Sequence, residues 1–154
     1  MCKKLFLLTV LVSRMLTTLD AQTIQLILAP RPSPYLSDLA INPGTATLII
    51  NNTLGNEITV KIKTEMFDGQ DAMIAHTIAS KMPVLTVPPG ISQYTAEDIF
   101  PLSAVDYDGS KVNLVIQTGK IPDDHYRFCV YLTDPQTDAP IGPSATQCKN
   151  FNIT

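Results

Sequence analysis

The segment EITVKIKTEMF, residues 57–67, carries the most regular pattern in the chain. Apolar side chains recur at every second position from Ile58 to Ile62, and Thr64 continues the series. Polar and charged side chains take the positions between them, ending with Glu65. Successive side chains of a strand point to opposite faces, so the pattern predicts a strand with one buried and one solvated face. Antiparallel sheets have this character, and the segment therefore favours a fold built on such a sheet.

Short segments of β type, separated by turns that contain proline or glycine, make up most of the remaining chain. A single short helix is predicted at TAEDIF, where Thr95 is the N-cap and Asp98 its partner in a variant capping box. Seven or eight short strands with one minor helix indicate an all-β fold, an antiparallel β-sandwich of immunoglobulin or fibronectin type III character. Besides the strand at 57–67, we predict strands at 23–29, 45–51, 73–78, 111–119, 125–133 and 146–154, and a short one before the Pro-Pro-Gly turn at 88–90.

The first 21 residues have the layout of a secretory signal peptide. Two lysines precede an apolar run, Leu5–Val12, and the small residue Ala21 stands ahead of Gln22. The apolar run is too short to span a bilayer. We therefore expect residues 1–21 to be removed on export, which leaves residues 22–154 as one β-sandwich domain in the periplasm, on the cell surface or in the medium. The alternative is an N-terminal strand or helix that is buried in the fold.

Export would leave an acidic chain with two cysteines. Of the 11 basic and 14 acidic residues, three and one lie in residues 1–21, so 8 and 13 remain and the net charge becomes about −5. That balance provides no basic surface for nucleic acid or anionic membranes. No later apolar run is long enough to span a bilayer. Cys129 and Cys148 remain, and an even number of cysteines in an exported chain favours a disulfide.

Side-chain alternation predicts how the two cysteines meet. The aromatic and aliphatic side chains between Tyr126 and Leu132 share one face, and Cys129 lies on the other. In the last predicted strand, Cys148 lies opposite the face that holds Phe151. If the aromatic faces point to the core, both cysteines point away from it, and adjacent antiparallel strands can hold them side by side. A loop of 18 residues lies between them, for which the loop-closure model gives about 3 kcal/mol of stabilisation.

The sequence gives little support for a metal site, a redox site or a catalytic site at the cysteines and histidines. Zinc takes about four ligands, and His76 and His125 show no metal spacing with the cysteines. No C-x-x-C motif supports a redox role. Asp123 and Asp124 beside His125 suggest an acid–base group, since carboxylates raise the pKa of a neighbouring histidine, but such residues are also ordinary in an exposed turn. His76 is interpreted as a surface or part-buried side chain. We expect no catalytic residue, no bound metal and no cofactor.

Two acidic turns raise the question of calcium. One contains Asp106 and Asp108 and begins like an EF-hand loop, and the other contains Asp68 and Asp71. Neither continues with the later ligands or with a bidentate glutamate at the twelfth position. A sandwich can still bind calcium between its loops, so calcium at Asp106 and Asp108 stays an open alternative.

Several phrases in the chain together resemble one family. They are PSPYLSD, NNT after a strand, the PPG turn, the block TGKIPDDHYRFCVYLTD and the closing CKNFNI. Over residues 24–153 the chain resembles the TANFOR-type domain, which occurs near the N-terminus of exported proteins of Bacteroidetes. The resemblance implies a non-catalytic module of a surface or secreted protein, often followed by fibronectin-like domains. It implies no catalytic residues, and Cys129 and Cys148 match the cysteine pair of the family. The given sequence ends where the module ends, so we expect either a short periplasmic or secreted relative of these proteins or a truncated reading frame.

These observations lead to one expected function and two alternatives. We expect a structural or protein-binding component of the bacterial cell envelope or surface, which presents loops or a sheet edge to another envelope or surface protein. A carbohydrate-binding sandwich that uses Tyr94 or Tyr107 is the first alternative, and the absence of tryptophan counts against it. A small secreted hydrolase that uses Asp123, Asp124 and His125 is the second. Neither nucleic acid nor a small-molecule substrate is expected as a partner.

Overall fold

The computed structural model describes residues 22–28, 46–106 and 124–153, which contain nine strands and one short α-helix. The chain is all-β, in two antiparallel sheets. In chain order, the elements are β1 (Gln22–Leu28), β2 (Ala46–Asn52), β3 (Ile58–Phe67), β4 (Met73–Thr77), β5 (Val84–Val87), β6 (Gly90–Thr95), α1 (Ala96–Ile99), β7 (Val105–Asp106), β8 (Asp124–Thr133) and β9 (Thr146–Ile153).

The smaller sheet has the strand order β1-β2-β6 and the larger has β3 at its centre. On one side of β3 lies β8, followed by β9. On its other side, β5 pairs with the first half of β3 and β4 with the second half, and β7 pairs with β4. In the described residues the chain therefore passes from one sheet to the other after β2, after β5 and after β6. Two antiparallel sheets that share one core confirm the predicted fold class.

Side chains from both sheets form one core. Leu26, Leu48 and Ile50 from the smaller sheet are fully buried in the same cluster as Ile62 and Leu132 from the larger. Burial of an aliphatic side chain of this size contributes about 1.5–3 kcal/mol to stability. This shared core explains why the two sheets stay packed face to face.

Aromatic side chains fill one end of the core. Phe100, which follows α1, meets Phe128 edge to face with ring centroids 5.3 Å apart. Tyr126 stacks on Phe151 of β9 at 5.7 Å. Both geometries are preferred arrangements for aromatic pairs. They show that the aromatic face of β8 points to the core, as the alternation predicted.

The alternation in β3 is confirmed from Thr59 to Thr64, but Glu65, which the pattern placed on the solvated face, is buried. Val60, Ile62, Thr64 and Met66 are buried, and the polar face begins with exposed Thr59. The predicted capping box is confirmed as well. The carboxylate of Asp98 accepts hydrogen bonds from the backbone N–H and the hydroxyl of Thr95, each 2.8 Å long.

Two strands were not predicted from the sequence. β6 has no apolar alternation, because its one aliphatic side chain, Ile91, is 77% exposed. β7 is only two residues long and forms by pairing with His76 and Thr77 of β4. The strand predicted at 111–119 and the signal peptide predicted at 1–21 lie outside the residues that the structure describes. No helix in the described ranges is long and apolar enough to cross a membrane.

Candidate functional site

The outer face of the larger sheet carries the two cysteines. Cys129 of β8 and Cys148 of β9 are directly opposite in the strand register and are joined by a disulfide, with Cα atoms 4.0 Å apart. Neither belongs to the core cluster. Cys129, on a central strand, is buried, whereas Cys148, on the outermost strand β9, is exposed. The bond therefore joins β8 to β9 on the outside of the sandwich, as the side-chain alternation predicted.

A charged cluster lies next to the disulfide on this face. The Nζ atom of Lys63 lies 2.6 Å from a carboxylate oxygen of Glu65 and 5.2 Å from the centre of the Tyr131 ring. Burial raises the pKa of Tyr131 to about 12, and a hydrogen bond to Glu65 acts in the same direction. At neutral pH the phenol is therefore protonated and engaged with its neighbours, which suits a structural contact better than a nucleophile.

Arg127 links the same face to the turn between β3 and β4. Its guanidinium carbon lies 4.6 Å from the centre of the Phe67 ring, and its Nη1 atom lies 2.8 Å from Asp71. Asp71 itself has a left-handed backbone with φ 60°. A guanidinium held by a ring and a carboxylate has little freedom, so Arg127 is a fixed part of this surface.

The acidic turns do not assemble a calcium site in the described ranges. Asp68 accepts hydrogen bonds at 2.9 and 3.0 Å from the backbone N–H groups of Gln70 and Ala72, so its carboxylate stabilises its own turn. Asp71 pairs with Arg127. Asp106 lies on β7, and Asp108 is outside the described residues. Across residues 22–28, 46–106 and 124–153, no three histidine, cysteine or carboxylate side chains are grouped in a way that could hold a metal.

The histidines are placed apart from one another. The Nδ1 atom of His125 lies 2.6 Å from the Oδ1 atom of Asn152, and the backbone N–H of His125 donates to the Asp124 carboxylate at 2.8 Å. The imidazole of His125 is thus hydrogen-bonded to a side-chain amide. Asp123, the third member of the suggested acid–base group, is outside the described residues. His76 is half-buried, as expected, and pairs in register with Glu65.

A polar cleft of about 300 Å³ lies beside the Asp71–Arg127 ion pair and the His125–Asn152 hydrogen bond. Its size is at the lower end of the range for small-molecule sites. Its main polar groups already pair with each other, through the Asp71–Arg127 and His125–Asn152 contacts. The residues that line the cleft are Asp68, Gly69, Asp71, His125, Tyr126, Arg127, Asn150 and Asn152.

The outer face of the smaller sheet carries no charged side chain, in contrast to the outer face of the larger sheet. Its strands present three cross-strand rows of outward side chains, and none of these nine side chains is charged. Ile27 and Ile91, at opposite corners, are 44% and 77% exposed. We call this surface the neutral face. Its rows are Ile27-Thr47-Thr95, Gln25-Ile49-Gln93 and Thr23-Asn51-Ile91.

Sequence reasoning missed the neutral face as a site. Alternation in β1 and β2 identifies the outward residues of those two strands, but β6 was not recognised and register is needed to bring the rows together. Tyr94, a candidate sugar contact, lies on the inner side of β6, packs against the core and donates to the Thr86 carbonyl at 3.3 Å. Partial burial raises its pKa. Tyr94 is therefore not an outward aromatic platform, and Tyr107 lies outside the described residues.

Comparison with known proteins gives distant structural likeness. No protein-family model matches the chain, and no curated protein matches it. Among solved structures, it is similar to a calcium-binding mutant of Bacteroides uniformis beta-glucuronidase 2, with a TM-score of 0.39 and 11% identity over 86% of this chain. The same enzyme covalently bound to cyclophellitol-6-carboxylate aziridine gives a TM-score of 0.36 and 12% identity. The chain covers 13% of the length of each, and likeness of this degree carries no inference about activity or ligand.

Proposed function

We propose that this chain is a non-catalytic, exported β-sandwich module that binds another protein of the cell envelope or surface through its neutral face. Membership of the TANFOR-type family is part of the same proposal. The observation that carries the binding role is the absence of charge on the nine outward side chains of the smaller sheet.

The outer face of the larger sheet is charged, so the absence of charge is specific to the smaller sheet. At comparable outward positions the larger sheet carries Lys61, Lys63, Glu65 and Arg127. Charged side chains are depleted at the centres of protein interfaces, because each charge must lose its water when the partner docks. A face of threonine, glutamine, asparagine and isoleucine avoids that cost and still offers amide and hydroxyl groups for hydrogen bonds.

The margin of the neutral face supports a protein partner of defined charge. α1 directly follows Thr95 and places exposed Glu97 and Asp98 at one end of the face. A neutral centre with a charged rim is the usual anatomy of an interface. The partner that fits has a flat, uncharged patch with basic residues at the margin that meets α1.

The size of the face argues against self-association as its main use. Three strands about 4.8 Å apart and a few residues long present on the order of a few hundred Å². Stable complexes bury about 800 Å² per partner. Two copies joined only through this face would form a weak contact, so a different protein, which also contacts the surrounding loops, is the occupant that we propose.

Export is supported by the disulfide. Cys129 and Cys148 are bonded, and such bonds persist in oxidising compartments outside the cytosol. The layout of residues 1–21 supports the same compartment.

A matched pair of lysine substitutions tests the binding role. Gln93→Lys places a charge in the middle row of the neutral face, on its outer strand β6, and Thr146→Lys places one at an exposed position on β9, the outer strand of the opposite sheet. A photo-reactive residue at position 91 should cross-link one envelope protein in cells. We expect Gln93→Lys to abolish that cross-link and Thr146→Lys to preserve it.

The controls keep the result specific. Circular dichroism and thermal unfolding should show that both variants fold. Cross-links that survive Gln93→Lys, or that form equally from a photo-reactive residue at position 146, would contradict the proposal. Retention on a polysaccharide that Gln93→Lys removes would assign the face to a sugar instead.

A further inference from the structure

The polar cleft of about 300 Å³ lies between the β3–β4 turn and the outer face of β8 and β9. Two cross-strand pairs of outward side chains line it, and the turn forms its remaining side. The cleft is on the larger sheet, whereas the neutral face is on the smaller one, so the two surfaces can be tested separately. The two cross-strand pairs are His125 with Asn152 and Arg127 with Asn150.

The turn is held against β8 by close packing and by charge. A Cβ atom at Gly69 would lie 3.4 Å from the backbone oxygen of His125 and 3.0 Å from a carboxylate oxygen of the preceding residue, so glycine permits this approach. The carboxylate of Asp68 closes the turn by accepting two backbone N–H groups. The ion pair between Asp71 and Arg127 ties the turn to the strand. The sides of the cleft are thus in place before a ligand arrives, which lowers the entropic cost of binding.

The paired groups of the cleft keep capacity for further hydrogen bonds. A guanidinium has five N–H donors, and the ion pair with Asp71 engages the Nη1 atom of Arg127. An amide oxygen can only accept, so Nδ1 of His125 donates to Asn152 and Nε2 is left as an acceptor. The amides of Asn150 and Asn152 are exposed, and each has two N–H donors and an acceptor oxygen. The cleft therefore offers donors and acceptors side by side.

The cleft carries charges of both signs, which disfavours an ionic ligand. Asp68 and Asp71 contribute carboxylates, and Arg127 contributes a guanidinium. A carboxylate or phosphate ligand that approached Arg127 would also face the two aspartates. An ammonium ligand that approached Asp71 would face the guanidinium. Like charges in one site repel each other, whereas a neutral ligand with many hydroxyl groups meets neither penalty.

We propose that the polar cleft binds a neutral hexose unit. Each sugar hydroxyl can donate one hydrogen bond and accept two, so neighbouring hydroxyls can bind the carboxylate of Asp71 and the guanidinium of Arg127 without separating them. The guanidinium lies 4.6 Å from the centre of the Phe67 ring, which fixes the direction of its donors. A single sugar ring suits a cleft at the lower end of the size range for small-molecule sites. This inference goes beyond the neutral-face interaction and does not depend on it.

Titration of the isotope-labelled chain with simple sugars tests the proposal by nuclear magnetic resonance. The probes are the methyl glycosides of glucose, galactose and mannose, each raised through the millimolar range. We expect at least one of them to cause saturable shift changes at the backbone amides of the turn, residues 68–71, and at those of His125 and Arg127. The amides of the neutral face should not shift, because that surface lies on the other sheet.

A matched pair of methionine substitutions tests the role of the guanidinium. Arg127→Met keeps an unbranched stem but removes the charged donors, so we expect the dissociation constant to rise about tenfold. Lys63→Met is the control and should leave it unchanged. Lys63 also lies beside a carboxylate and over a ring on the outer face, but outside the cleft lining that the described residues form. Asn150→Ala leaves the Asp71–Arg127 ion pair in place and should raise the dissociation constant about threefold.

Three results would overturn the proposal. The first is the absence of a saturable shift with all three glycosides, and the second is binding that both Arg127→Met and Asn150→Ala leave unchanged. The third is an equal response of the same amides to sodium acetate, which would make the guanidinium a general anion site. Thermal unfolding should show that each variant folds. Gln93→Lys should leave sugar binding intact, so loss of its envelope cross-link and loss of sugar binding are separate outcomes.

Discussion

At the scale of single residues, a threonine pair in the core shows how one hydroxyl can hold two strands. Thr64 of β3 and Thr77 of β4 are both buried, and their hydroxyl oxygens are hydrogen-bonded to each other. Thr77 Oγ1 also accepts the backbone N–H of Thr64 at 3.0 Å. The Thr77 hydroxyl therefore serves a backbone group as well as a side chain, whereas the Thr64 hydroxyl serves the side chain.

This asymmetry predicts unequal effects of two isosteric substitutions. Thr77→Val leaves the buried Thr64 N–H without its acceptor and should lower the free energy of unfolding by about 1–3 kcal/mol. Thr64→Val keeps that bond and should cost less. The double variant should resemble Thr77→Val, because the two residues share one network. Urea unfolding of the three variants measures these values, and equal or additive costs would argue against the assignment.

At the scale of an element, the β8–β9 loop is organised by one carboxylate at its start. Asp134 Oδ1 accepts the backbone N–H groups of Gln136 and Thr137, each at 2.9 Å. These bonds hold the pKa of Asp134 below its ordinary value. A carboxyl with a lowered folded pKa contributes stability above its unfolded pKa, and that contribution is lost as the pH falls through the folded value.

The pH dependence of stability tests this role of Asp134. Asp134→Asn keeps an oxygen acceptor but removes the charge, so we expect lower stability at neutral pH and a smaller loss of stability below about pH 4. Asp138→Asn is the matched control, since it removes an exposed ion pair with Lys61 of 2.7 Å and should change stability little. The measurement is the urea midpoint from neutral to acid pH. Parallel acid curves for Asp134→Asn and the unsubstituted chain would refute the assignment.

At the scale of the whole molecule, the disulfide constrains the unfolded chain more than it shapes the core. It closes a segment of sequence separation 19 on the outer side of the sheet, so both cysteines can be replaced without opening the core. We expect the double variant Cys129→Ala and Cys148→Ala to fold and to lose about 3 kcal/mol of unfolding free energy. Urea unfolding with and without reductant measures this, and the double variant should be insensitive to reductant. An unsubstituted chain that is equally stable when reduced would contradict the prediction.

The predictable parts of this structure are those encoded within single strands. The alternation in β3 and β8, the outward direction of Cys129 and the capping box at Thr95 all follow from local spacing. β6 was missed because Ile91 points to solvent, so its strand depends on pairing with β2 and not on a buried face of its own.

The neutral face was not predictable for a related reason. It requires the register of three strands, which depends on long-range packing and is not encoded in any local pattern.

The position of the disulfide also determines how the fold would yield to mechanical force. Pulling on β1 and β9 in opposite directions separates strands that belong to different sheets. Once unfolding from the pulled end of β9 has reached Cys148, the tension passes through the disulfide to Cys129. The residues between the two cysteines then carry no load. An extended chain spans about 3.3–3.6 Å per residue, so the bond withholds about 60 Å of extension across its 19-residue separation. The segment between Cys129 and Cys148, which holds the end of β8 and the start of β9, is thereby shielded from the force and would stay looped while the remainder of the domain is extended.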